Sequence, residues 1–97
     1  MLVAVSPRVL LVDDDALMAE RLRELITGAG YEVTLASSGE QALAELQREF
    51  CPIVILDRNM PGGMDGLELC RTIRDGAHYP GYVYLVLCTA HDSEEEI

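Results

Sequence analysis

Apolar residues recur along this chain in two rhythms. Val9 to Val12, Ile53 to Leu56 and Tyr82 to Cys88 are continuous apolar runs, as expected of strands buried on both faces of a sheet. Val33 and Leu35 instead alternate with Glu32 and Thr34, which predicts a half-exposed strand at a sheet edge. Between these runs the period lengthens to that of a helix. Met18, Leu22, Leu25 and Ile26 share one helical face opposite Glu20, Arg21, Arg23 and Glu24, and Gly28 and Gly30 supply the stop. Ser38 with Gln41 is a capping box ahead of the face formed by Ala42, Leu43, Leu46 and Phe50. Asp65 with Glu68 caps a third helix, from about Gly66 to Arg74, with Leu69, Cys70 and Ile73 inward. A further box, Ser93 with Glu96, announces one more helical turn. The order β-α-β-α-β-α-β predicts an α/β fold: a doubly wound parallel sheet with right-handed crossovers and helices on both faces.

Ninety-seven residues, 49% of them apolar and 25% charged, suit one globular domain. The longest apolar run, Tyr82 to Cys88, is far too short to span a bilayer, and no basic stretch precedes the apolar N-terminus as a secretory signal requires. A cytoplasmic protein is expected. The net charge of −10 opposes direct binding to nucleic acid or to an anionic membrane and favours a basic partner. All seven basic residues are arginine. Cys51, Cys70 and Cys88 lack metal-ligand spacing and read as buried reduced thiols, while His78 and His91 read as solvent-facing.

The carboxyl ends of the strands carry the chemistry. Asp13, Asp14 and Asp15 follow the first strand, Asp57 ends the third, and Thr89 follows the fourth. If the first and third strands are neighbours, as in the flavodoxin-like order 2-1-3-4-5, the rim between them is a topological switch point, where ligands bind in open α/β sheets. Carboxylates gathered there repel one another unless a cation sits among them, and hard oxygen ligands suit Mg²⁺. A carboxylate beside that ion is a competent nucleophile toward phosphorus, and Thr89 would offer a hydroxyl to a phosphoryl oxygen. Asp15 fits better as the cap of the first helix.

LLVDDD, then LDRNMPGGMDG about forty residues on, then VLCTA after a further strand, resemble together the receiver domain of bacterial two-component response regulators. The likeness runs from about Arg8 to Ile97 and implies a receiver domain over 8–97 with strand order 2-1-3-4. By position, Asp57 resembles the phosphoacceptor that takes its phosphoryl group from a sensor histidine kinase. Asp14 resembles the direct Mg²⁺ ligand, Asp13 the acid that holds metal-bound water, and the carbonyl of Asn59 a third protein ligand, with Asp57 itself on the ion. Thr89 resembles the hydroxyl that senses the phosphoryl group, and Ala90 the small residue beside it.

Three departures accompany the resemblance. The family's fifth strand and helix, with a lysine that pairs with the phosphoryl group and a switch aromatic, have no counterpart here, so about three quarters of its domain is expected. Gly62 and Gly63 stand where the family usually has one glycine, a difference expected to be absorbed in the loop after Asp57. Arg58 places a long cation beside the acceptor. Two functions follow: a phosphoryl-accepting signalling domain that is not a turnover enzyme, or a receiver-like interaction module that does not switch. An aspartate-nucleophile phosphatase is weaker, because Arg58 and Asn59 offer no second acid after Asp57. The apolar fourth strand, left as an edge, is expected to support self-association.

Overall fold

The computed structural model describes residues 7–60, 62–76 and 79–88. Its elements are β1 (Arg8–Val12), α1 (Ala16–Gly28), β2 (Glu32–Ala36), α2 (Gly39–Arg48), β3 (Ile53–Asp57), α3 (Gly66–Asp75) and β4 (Tyr84–Cys88). The strands form one parallel sheet in the order β2-β1-β3-β4. This is the predicted α/β arrangement, with β2 and β4 as edges. The capping box announced by Ser93 and Glu96, like Thr89, Ala90, His78 and His91, lies outside the described residues.

Pleating divides the strand residues between two faces. Leu10, Val12, Val54 and Leu56 point toward α2 and α3, where they pack with Ala42, Leu46, Leu69 and Ile73 in the main core. Leu10, Val54, Leu56 and Leu69 are fully buried. Cys70 is partly buried against this cluster, as its place in α3 implies; Phe50 is partly buried there too, but from beyond α2, which ends at Arg48 with Glu49 already extended, and not from the helical face expected of it. The caps work as local chemistry dictates, with one shift. Ser38 Oγ accepts the Gln41 N–H at 3.1 Å, but the Gln41 side chain returns to Ser37 instead of Ser38.

On the opposite face α1 rests on β2 and β1. Val9 and Leu11 beneath it are 2% and 1% exposed. The sequence pattern misjudges α1 itself: Ala19 is its buried residue, Leu22 and Ile26 are half-buried, and Met18 and Leu25 are 45% and 71% exposed. The apolar band is wider than the strip of sheet the helix covers. Farther along this face, no described helix lies over β3 and β4, so Tyr84, Val86 and Cys88 are exposed. Of the three cysteines, only Cys51 is fully buried; Cys70 is half-buried and Cys88 lies on the uncovered edge strand, a correction to the expectation of three buried thiols. No helix among the described residues is long and apolar enough to cross a membrane.

Candidate functional site

Sheet register brings the acids together. Val12 pairs with Leu56 across β1 and β3, so the next residues, Asp13 and Asp57, stand side by side at the carboxyl rim. Asp14 joins them, and one carboxylate oxygen from each of Asp13, Asp14 and Asp57 lies within 4.8 Å of the others. Asp15 does not join. Its Oδ1 accepts the Leu17 and Met18 N–H groups at 3.1 and 3.2 Å and caps α1, the role its sequence position suggested.

Each acid is held differently. Asp13 is buried, its N–H donates to the Ala36 carbonyl in continuation of the β1–β2 ladder, and its Oδ1 accepts the Asp15 N–H at 2.9 Å. Asp14 is exposed, and Asp57 is half-buried. Asp57 Oδ1 accepts the Asn59 N–H at 3.1 Å, a local turn that fixes the carboxylate and places Asn59 beside it. Burial pushes the Asp13 carboxyl above its ordinary range; the Asp15 N–H pulls it partly back, and the charges of Asp57, Asp14 and Asp15 push it up again.

The turn after Asp57 is anchored at several points. Met60 is 4% exposed and plugs the turn into the main core. Gly62 adopts φ +92°, the left-handed conformation that glycine tolerates, so one of the paired glycines absorbs the longer loop. Asp65 and Glu68 form the predicted capping box at 2.9 and 3.1 Å and start α3.

Gly66 is the residue that the sequence reading passed over. A Cβ there would come within 2.4 Å of the Asp57 carbonyl oxygen and 2.8 Å of Arg58 Cα. Only a bare glycine lets α3 start this close to the acceptor's backbone. The available signal is a poor helix former at the first position of a helix. Gly66→Ala is expected to destabilise the chain by about 1–3 kcal/mol, because the obstacle is backbone and cannot rotate away. Urea unfolding checks this, and Gly28→Ala is the control, since nothing lies within 4 Å of a Cβ there.

The fit of a divalent cation follows from the donor set. Three carboxylates at one rim, one of them buried with its charged form penalised, leave the folded chain with repulsion that a small hard cation relieves. All donors are oxygen and half the cluster is open, which suits an ion that keeps several waters.

An acid cluster at the switch point of a 2-1-3-4 parallel sheet defines a flavodoxin-like fold with an acidic rim site. The chain belongs to the response regulator receiver domain family, whose sequence profile matches residues 9–97. It is 37% identical over 86 residues to the sensory transduction protein RegX3 of Mycolicibacterium smegmatis, covering 89% of this chain and 36% of that protein. The chain therefore spans little more than a third of that relative's length. Chemotaxis protein CheY4 of Vibrio cholerae superposes with a TM-score of 0.82 at 32% identity, over 94% of this chain and 74% of CheY4. Response regulator TrrA of Thermotoga maritima, solved in complex with Mg²⁺-BeF, superposes with a TM-score of 0.78 at 36% identity, over 88% of this chain and 70% of TrrA.

Proposed function

We propose that residues 8–97 act as a cytoplasmic phosphoryl-accepting receiver, with Asp57 as acceptor and a sensor histidine kinase as donor. The convergence of Asp13, Asp14 and Asp57 carries this reading. Asp14, Asp57 and the Asn59 carbonyl would hold Mg²⁺, and Asp13 would hold its water. When bound, the ion supplies positive charge that offsets the negative charge of the transferring group.

The chain's own groups do the rest. Asp57 is held toward the rim by the Asn59 N–H, which occupies Oδ1 and leaves Oδ2 free to attack phosphorus. A P–O bond forms to Asp57 as the bond to the donor breaks, and the donor's leaving group takes the electron pair. Water later hydrolyses the acyl phosphate and restores the carboxylate, so the chain accepts and loses a phosphoryl group without turning over a substrate. Thr89, next after β4, would donate its hydroxyl to the phosphoryl group. Incubation with acetyl phosphate and Mg²⁺ tests the reading by intact mass: one added phosphoryl group, absent with a chelator, is expected.

An unlabelled, folded chain would instead support a receiver-like interaction module that does not switch.

A second copy is the other proposed partner. Tyr84 and Val86 are 61% and 45% exposed on an edge strand. Sedimentation is expected to show concentration-dependent association that Val86→Lys abolishes; a strictly monomeric parent at high concentration contradicts it.

A further inference from the structure

The rim has a second opening, on the β2 side of Asp13. A cavity of about 190 Å³ lies where the start of α1 faces the end of β2 and the start of α2. Asp13 is the wall it shares with the acid cluster; Asp14 and Asp57 do not line it. Ala16, Ala19 and Ala36 give it a small apolar floor, with Ala19 and Ala36 buried. Asp13 and Glu20 supply carboxylates, and no basic residue among those described lines it. Arg23 binds Glu20 through Oε1 and leaves Oε2 open. The far wall is fixed, because Gln41 Oε1 accepts both the N–H and the hydroxyl of Ser37.

Asp13 is the group that calls for a ligand. It is 8% exposed, yet of the roughly four acceptor positions of a carboxylate only one is used among the described residues, by the Asp15 N–H. A metal-bound water at the rim would take one more and leave capacity on this side. A buried carboxylate with acceptors to spare gains most from a cation delivered on an apolar stem. The oxygens decide which cation. Asp13 Oδ1 and Glu20 Oε1 are each engaged already, so neither carboxylate presents the free pair that a guanidinium fork matches. An ammonium is a point charge whose three donors can go to separate oxygens, and its four-carbon stem can lie along alanines. The net charge of −10 draws a basic protein toward this chain. We infer that the cavity between α1 and the β2 end is a docking socket for a lysine side chain of a basic partner protein. It does not depend on Asp57 accepting a phosphoryl group.

The test titrates the full chain, labelled with ¹⁵N, with acetylated pentapeptides that carry lysine, arginine or norleucine between alanines, and reads amide shifts by NMR. The lysine peptide is expected to shift Ala19, Ser37 and Gln41 saturably and to bind about tenfold more tightly than the norleucine peptide, the effect of one charge-assisted hydrogen bond. Ala16→Leu fills the socket from an exposed position and leaves the acid cluster untouched, so it should abolish these shifts in a chain that circular dichroism shows to be folded. Glu20→Gln should weaken binding about threefold, as an exposed charge does. Glu24→Gln makes the same change of net charge outside the socket and should match the parent. Equal binding of the arginine peptide, shifts that survive in folded Ala16→Leu, or shifts confined to the Asn59 side of the rim each overturn the socket.

Discussion

Asp57→Asn is expected to lower labelling by acetyl phosphate by at least roughly 10³-fold while leaving the fold intact, because it removes the nucleophile and little else. The amide oxygen can still accept the Asn59 N–H that now reaches Oδ1, so the local turn has no reason to open. The substitution also removes one of three mutually repelling charges, so thermal stability should be equal or higher. An unfolded variant would leave loss of labelling uninformative. A folded and silent one identifies the missing anion as the cause. Time courses of intact mass, paired with melting curves, make the distinction.

Asp13→Asn is expected to move stability and metal affinity in opposite directions. Asp13 is the buried member of the cluster, and its raised pKa means that ionising it costs the folded state. Without a divalent cation, removing that charge should stabilise the chain and raise its melting temperature, because burial and the neighbouring carboxylates both oppose the ionised form. The pH dependence has a definite sign. Because the folded pKa lies above the unfolded value near 3.8, the parent's deficit is complete above the raised pKa and vanishes as pH falls through it toward 3.8. Magnesium reverses the comparison. The parent gains stability in proportion to its affinity, whereas the variant, lacking the acid proposed to hold metal-bound water, should bind the ion about 10–100-fold more weakly. A variant less stable than the parent at neutral pH in chelator contradicts the account of a strained acid cluster.

Strand order and the acid cluster were legible because both follow from short-range rules. Three apolar runs and one alternating strand, separated by helical patterns, leave few topologies for a parallel sheet. Placing the first strand beside the third puts Asp13 next to Asp57 with no further assumption. Asp15 was legible for the same reason, since a carboxylate one residue before a helix has an obvious local partner. What sequence could not convey depends on distant neighbours. Met18 and Leu25 carry the right periodicity, but their burial depends on what lies over the sheet beyond β1, and they are exposed. Cys88 looks like a core thiol from its strand and is exposed because no described helix covers its face of β4. Gly66 reads as a helix-start residue, and its actual constraint, contact with the Asp57 and Arg58 backbone, exists only once β3 and α3 are assembled. The role given to Thr89 rests on its position in the sequence.

The central claim is that Asp57, among the acids at this rim, receives the phosphoryl group. Reductive trapping tests it most directly: the chain is labelled with acetyl phosphate and Mg²⁺, treated with borohydride to convert an aspartyl phosphate to homoserine, and mapped by peptide mass. Conversion confined to Asp57 is the predicted result. Conversion at Asp13 or Asp14, or none in a chain that circular dichroism shows to be folded, would contradict it.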